Sequence, residues 1–285
     1  MTYQAKKILK EYQITPYHSK GQNFLIKEGV VNKILELAAL TSHDTVLEIG
    51  AGLGALTVPL CQQAAKVVAL EWDKRFVQIL ENMLIDSNNI QIIQTDALNF
   101  DYNLFFSKSP APYIVMGNLP YYLATALIQK LLPMAKAIDR LIFMVQKEVG
   151  DRLIARRGER EYGMLSLITE YYSIPEKLLT IPKDAFYPKP KVDSCIIKMT
   201  LRKEPPIEVG NKKFLFSLIK AAFTHRRKTL VNALKSCPYL GLDSNDIKKS
   251  LEDAQVSVTI RPQELSLAEF AKIAVSHRSF HSDFR

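Results

Sequence analysis

Glu48-Ile49-Gly50-Ala51-Gly52-Leu53-Gly54-Ala55 follows a short β-rich run and opens a helical pattern. Glycines belong where a chain turns sharply and a ligand must approach backbone N–H groups. Gly50, Gly52 and Ala55 alone would also satisfy the G-x-G-x-x-A form of the dinucleotide fingerprint. Three further polar residues narrow the chemistry. Glu71 ends the second β-rich run, 21 positions after Gly50, where a carboxylate can accept both hydroxyls of a ribose. Asp96 ends the third run and Asn118 the fourth. In an open α/β sheet those carboxyl ends line the ligand crevice. Glu48, beside the glycine turn, would repel a pyrophosphate but suits a ligand with a cationic end. S-adenosylmethionine has that character, with an α-amino group, a sulfonium and no phosphate.

Asn118-Leu119-Pro120-Tyr121 is the second chemical stretch. The exocyclic N6 amine of adenine is a poor nucleophile, because its lone pair is delocalised into the ring. Acceptors for its two N–H bonds would localise that pair and aim it at an electrophilic methyl group. A side-chain amide oxygen and an adjacent backbone carbonyl can serve, on a turn stiffened by Pro120. Tyr121 offers a face for stacking the base. A neutral thioether leaves, so neither metal nor acid–base residue is required and positioning dominates. The catalytic set is therefore Asn118, Leu119, Pro120 and Tyr121.

These residues need a scaffold that brings strand ends together. The strand candidates are Thr45–Gly50, Lys66–Trp72, Ile90–Asp96, Tyr113–Asn118 and Arg140–Gln146, separated by helical patterns such as Asp73–Ile85 and Tyr122–Lys136. Such alternation predicts a doubly wound, mostly parallel α/β sheet, Rossmann-like, with helices on both faces. Glu176–Pro182 and Asp193–Arg202, flanking FYPKPK, read as an antiparallel addition at its edge. Residues 202–211 read as a Pro- and Gly-punctuated linker. Beyond it the period becomes helical, with Leu215, Leu218, Ile219, Ala222 and Phe223 in one apolar stripe. Asp243 or Ser244 is a helix cap, and Ser266 with Glu269 forms an S-x-x-E box. The expected division is a methyltransferase domain over 1–204 and a small helical RNA-binding domain over 212–285.

The chain is 47% hydrophobic and 24% charged, as a globular protein with one large core and a smaller one would be. Its net charge of +9 favours a polyanionic partner. Residues 202–285 hold 15 Lys+Arg against 9 Asp+Glu, whereas residues 1–201 hold 23 against 20. The basic clusters Arg226-Arg227-Lys228 and Arg156-Arg157, the latter in a loop with Arg152 and Arg160, are candidate phosphate contacts. Cys61, Cys195 and Cys237 lack the spacing of a zinc site or disulfide frame. No apolar h-region follows the N-terminal lysines, and no uncharged apolar run is long enough to cross a membrane. A reducing cytoplasm is the expected compartment.

With these residues in view the chain resembles the bacterial small-subunit (16S) ribosomal RNA adenine N6,N6-dimethyltransferase family. The likeness runs from Lys20-Gly21-Gln22-Asn23-Phe24-Leu25 through VLEIGAGLGALT, NLPYYLAT, VQKEVGDRLIA, YGMLSL and AFYPKPKVDS to AFTHRRKTLVNAL and RPQELSLAEF. It implies cofactor contacts at Asn23, Leu25, Gly50, Glu71, Asp96 and Asn118, and Phe186 as a second aromatic wall facing Tyr121. It further implies a monomer that dimethylates two adjacent adenines in a hairpin loop near the 3' end of 16S rRNA. The substrate would be a pre-30S particle, with a role in ribosome biogenesis. Two readings compete with it. One is a large-subunit rRNA methylase, disfavoured by the C-terminal motifs. The other is a non-catalytic nucleic-acid-binding factor, disfavoured by intact Glu71, Asp96 and NLPY. His18-Ser19-Lys20 lacks the family's basic lead-in, and Tyr122 replaces a commoner small or polar residue.

Overall fold

The computed structural model describes residues 5–17, 21–108 and 112–278, so the His18-Ser19-Lys20 lead-in lies outside it. The chain forms two compact units, one of residues 1–150 and 174–201 and the other of residues 151–173 and 202–285.

In the first unit the helices are α1 (Ala5–Glu11), α2 (Glu28–Ala38), α3 (Thr57–Gln63), α4 (Lys74–Met83), α5 (Tyr102–Ser107) and α6 (Ala124–Leu131). The strands are β1 (Phe24–Leu25), β2 (Thr45–Ile49), β3 (Lys66–Glu71), β4 (Ile90–Gln94), β5 (Tyr113–Asn118), β6 (Ile138–Gln146), β7 (Ser173–Ile181), β8 (Phe186–Tyr187) and β9 (Ser194–Leu201). Seven of them form one sheet in the order β4-β3-β2-β5-β6-β9-β7. The run from β4 to β6 is parallel. β9 joins β6 antiparallel, from Arg140↔Thr200 to Gln146↔Ser194. This is the expected Rossmann-like sheet with its antiparallel edge.

Burial explains why the strands read as they do. β2, β3 and β5 are covered on both faces and are nearly continuous apolar runs, whereas the edge strand β4 alternates between half-buried and exposed residues. The chain leaves β2 through β3 and β4 on one side, then returns to place β5 on the other. The order therefore reverses between β2 and β5, and a crevice opens at their carboxyl ends. Strand bounds differ from the expected ones by at most three residues, the largest difference being the earlier start of β7. The ladder of β1 with β8, pairing Leu25 with Phe186 and Phe24 with Tyr187, was not foreseen. Two residues carry no readable period.

α7 (Lys147–Ile154) leads into the second unit, which holds α8 (Met164–Tyr172), α9 (Lys212–Thr224), α10 (Leu230–Lys235), α11 (Ser244–Asp253) and α12 (Leu267–Arg278). Its core contains Leu215, Leu218, Ile219 and Ala222 of the foreseen stripe. Asp243 caps α11 by accepting from the N–H groups of Asn245 and Asp246. Ser266 and Glu269 make the reciprocal bonds of a capping box, 2.7 and 3.3 Å. The division at 204 needs correction for residues 151–173. Tyr162, Leu167 and Tyr171 bury their side chains with the C-terminal helices, so this stretch belongs to the second unit although it precedes β7 and β9.

A Cβ on Gly117 would lie 2.2 Å from the Ile49 carbonyl oxygen, a contact that neighbouring strands cannot relieve without parting. Gly117→Ala should cost at least about 3 kcal/mol or prevent folding. Gly29→Ala, in α2 with nothing within 4 Å of the added carbon, should be neutral or stabilise by up to about 1 kcal/mol. Urea melts of both variants test this, and a Gly117→Ala protein of native stability would contradict the close approach.

Candidate active site

The turn after β2 takes Gly50 to φ 76° and Gly52 to φ 56°, the left-handed region that glycine enters without strain. Gly50 N–H donates to the Leu70 carbonyl at 2.8 Å, holding the turn against β3. The Glu71 carboxylate accepts from Gly52 N–H at 2.8 Å and from Asp73 N–H at 2.9 Å. The Trp72 N–H also stabilises this carboxylate, and since a carboxylate has about four acceptor positions, at least one remains for a donor from a ligand. Burial pushes the Glu71 carboxyl above its ordinary range, and the backbone N–H bonds pull the other way.

Glu48 lies on the same cleft as Glu71, Asn118 and Asn23. It is 1% exposed, and among the described residues its Oε2 has no hydrogen-bond partner. Burial pushes its carboxyl up to about 7; the nearby Thr57 hydroxyl pulls the other way, and Glu71 adds to the rise. A buried carboxylate with no donor is costly unless it is protonated or met by a cation. An unpartnered anionic oxygen, a glycine cradle and a ribose-type acceptor on one cleft fit S-adenosylmethionine. Glu48 and Glu71 would hold its cationic and ribose ends.

Asn118, at the end of β5, donates its Nδ2–H to the Asn23 carbonyl at 2.9 Å. That bond fixes the amide and leaves Oδ1 as an acceptor. Leu119 N–H continues the strand pairing to the Met144 carbonyl at 3.1 Å, and the Pro120 carbonyl starts α6 by accepting from Leu123 and Ala124. No described residue donates to the Leu119 carbonyl. Gly21 packs on Pro120 and Tyr121, its missing Cβ position 3.6 Å from Tyr121 N. Tyr121 is half-buried with its hydroxyl 3.2 Å from Ser194 Oγ.

Asn23, Leu25, Gly50, Glu71, Asn118 and Pro120 all line this one cleft. Asp96 does not. It is exposed and caps the turn after β4, accepting from Leu98 N–H at 2.9 Å and Asn99 Nδ2 at 3.1 Å. Phe186 also stands off the cleft surface, 3% exposed, because pairing with Leu25 turns it into the core. Of the basic candidates, Arg156, Arg227 and Lys228 are exposed, Arg157 pairs with Glu269 at 3.0 Å, and Arg226 bonds to two carbonyls.

One network was missed in the sequence. Gln22 Oε1 accepts from Tyr17 N–H at 2.7 Å, and its Nε2 donates to Asp73 at 3.1 Å. Arg75 donates to both oxygens of Asp73 at 2.9 and 2.6 Å, with its guanidinium 4.4 Å from the centre of the Tyr17 ring. Burial would raise the Asp73 carboxyl, but the bonds from Arg75 and Gln22 outweigh it and hold it low. The network clamps Gly21–Leu25 to the end of β3. Its only signal was a Gln inside GQNFL and an Asp two places after Glu71.

Residues 17–274 match the family model for ribosomal RNA adenine dimethylase. The chain belongs to the ribosomal RNA adenine dimethylase family. It is similar to ribosomal RNA small subunit methyltransferase A of Lachnoclostridium phytofermentans, 40% identical over 95% of this chain and 94% of the relative. The protein of the same name from Moorella thermoacetica is 39% identical over 94% of both chains. Among solved structures it resembles a dimethyladenosine transferase from Plasmodium falciparum, with a TM-score of 0.73 and 25% identity over 88% of this chain and 95% of that one. The fold is shared with the 23S rRNA methyltransferase ErmE, TM-score 0.67 and 24% identity over 89% of this chain and 98% of that one. Membership makes the chain an S-adenosylmethionine-dependent rRNA adenine dimethyltransferase.

The buried carboxylates generate two predictions. With the Glu48 carboxyl at about 7 against an ordinary 4.5, the folded state holds more protons between those values. Its contribution to stability is present below pH 4.5 and lost as pH rises through about 7. Glu48→Gln should stabilise the ligand-free protein at pH 8 by up to about 3 kcal/mol, flatten the pH dependence, and weaken S-adenosylmethionine. Melts at pH 6 and 8 that leave the wild-type slope intact would refute it. Glu71→Ala should weaken cofactor binding by about 1.5–3 kcal/mol for each charge-assisted bond lost. Calorimetry giving wild-type affinity would remove Glu71 from the site.

Proposed function

We propose that this chain transfers methyl groups to the N6 atoms of two adjacent adenines in a hairpin loop near the 3' end of 16S rRNA. It acts as a monomer, in the cytoplasm, on a pre-30S particle. Family membership supplies the reaction class, and the names carried by its relatives point to the small subunit. Among the described residues no helix is long and apolar enough to cross a membrane.

The observation that carries the reading is the orientation of Asn118. With Nδ2 committed to the Asn23 carbonyl, Oδ1 is the atom presented to an incoming base. It would accept one N6–H, the Leu119 carbonyl the other, and the lone pair would turn toward the cofactor cleft. When bound, S-adenosylmethionine supplies an electrophilic methyl group on a sulfonium that departs as a neutral thioether. The chain contributes acceptors in fixed places, which lowers the barrier through prepaid orientation. Tyr121 stacks on the base once it has left its neighbours, so adenines in a loop suit the site better than paired ones. Phe186 would have to leave its place beside Leu25 to form the second wall. The proton that N6 sheds after each transfer passes to water, so no side chain of the site must reset and a monomethylated adenine can re-enter. Arg156, Arg157, Arg226, Arg227 and Lys228 supply the RNA-binding charge of the second unit, and Asp96 would have to turn from Leu98 and Asn99 to join the cofactor contacts implied by the family.

Asn118→Ala should slow single-turnover methyl transfer by roughly 10²-fold, and Tyr121→Phe should keep more activity than Tyr121→Ala. The substrate is tested by offering 30S-type particles, 50S-type particles and naked hairpins with a labelled methyl donor. Dimethyladenine should form in the 30S-type particle. Label in large-subunit RNA, or equal label in any hairpin, would overturn the substrate.

A further inference from the structure

Arg226 sits in the turn between α9 and α10, within the cluster Arg226-Arg227-Lys228. Its Nη2 donates to the carbonyl of Arg160 at 2.7 Å and to that of Tyr162 at 2.9 Å. These carbonyls close the loop that carries Arg156, Arg157 and Arg160, more than sixty residues earlier in the chain. The same loop is held at three other points. Gly158 N–H donates to the Gln263 carbonyl at 3.1 Å, Arg157 pairs with Glu269 at 3.0 Å, and the Tyr162 hydroxyl donates to the Leu265 carbonyl at 2.9 Å. Glu159, an acid in the middle of the arginines, is turned onto the Arg156 N–H at 2.9 Å. Two basic segments distant in sequence are thereby fastened into one exposed surface of the second unit.

We infer that Arg226 is a positioning residue for RNA, whose task is to fasten the Arg156–Arg160 loop beside Arg227 and Lys228 so that they present one phosphate-binding surface. This rests on the proposed rRNA substrate and deepens it. A residue that only met a phosphate would need charge and reach. One that bridges two carbonyls on a distant segment needs reach as well as donors. A lysine ammonium can serve two carbonyls, as Lys130 does for Leu98 and Phe100, but at position 226 it would end one bond short of the guanidinium Nη2. Arg226 still carries the cluster's charge, but the geometry assigns its donors to the loop.

A charge-conserving substitution separates these roles. Hydrogen exchange at Gly158, Glu159 and Tyr162 should quicken in Arg226→Lys and stay at the wild-type rate in Arg227→Ala. Arg226→Lys should also weaken binding to purified 30S-type particles roughly tenfold. It should lower the salt dependence of that binding by more than one phosphate's worth, a slope of about 0.7–0.9, though no charge is removed. KM for the particle should rise with kcat little changed, while melting temperature and S-adenosylmethionine affinity stay at wild type. Wild-type affinity and slope in Arg226→Lys would overturn the inference. So would weaker binding with unchanged exchange, which marks a direct phosphate contact, or faster exchange with unchanged binding, which marks a purely structural bond. Failure of the wild-type protein to bind or methylate the particle would instead strike the proposed function, and is read in the same assay.

Discussion

At the carboxyl ends of β2 and β5 the backbone of Gly117 passes so near the Ile49 carbonyl that a Cβ would stand 2.2 Å from its oxygen. This contact sits where the strand order reverses, and every chemical group of the first unit is placed from it. One residue beyond Ile49 the chain enters the glycine turn; one residue beyond Gly117 stands Asn118. The spacing of the two strands therefore sets the distance between the cofactor cradle and the amide that receives the base. An α/β sheet always leaves a crevice at such a point. Here the missing side chain lets its two walls close to the scale of one reacting centre.

Around that crevice the protein keeps charge in a place that disfavours it. Glu48 and Glu71 are both buried; burial raises each carboxyl, Glu71 adds to the rise at Glu48, and Asp73 adds to the rise at Glu71. Glu71 is relieved by the backbone N–H groups of Gly52, Trp72 and Asp73, whereas Glu48 Oε2 receives no hydrogen bond among the described residues and Glu48 has only the nearby Thr57 hydroxyl to lower it. An apolar or amide side chain at Glu48 would suit the empty cleft better. Retaining a carboxylate there makes the free protein less stable at neutral pH and more receptive to a cation, the usual conflict between a stable scaffold and a working site.

The N-terminal segment acts as the third wall. Gln22 is tied to Asp73, Asn23 orients Asn118 through its carbonyl, and Leu25 pairs with Phe186. Each bond joins residues far apart in sequence, so the segment registers β3, β5 and the loop before β9 against each other. Catalysis by positioning depends on such cross-ties, because the acceptors must already stand where the amine will be.

The parallel sheet, the glycine turn and the polar strand ends Glu71 and Asn118 were legible in the order of residues alone. Those depend on local rules: apolar runs for strands buried on both faces, glycine for positive φ, and polar residues at strand ends. The residue order also showed the S-x-x-E cap and the apolar stripe of α9, since both are read within one or two helical turns. The rest depended on packing between distant segments. Residues 151–173 lie between two pieces of the first unit in sequence, yet bury Tyr162, Leu167 and Tyr171 in the second, and no local pattern says which core an apolar side chain will join. The β1–β8 ladder is too short to have a period, so the burial of Phe186 was invisible. Asp96, chosen as a strand end like Glu71, turned to cap its own backbone. Arg226 looked like one more cation in a basic run until its two carbonyl partners were in place. Sequence records which groups a segment offers, but which partner satisfies them depends on chains that meet only after folding.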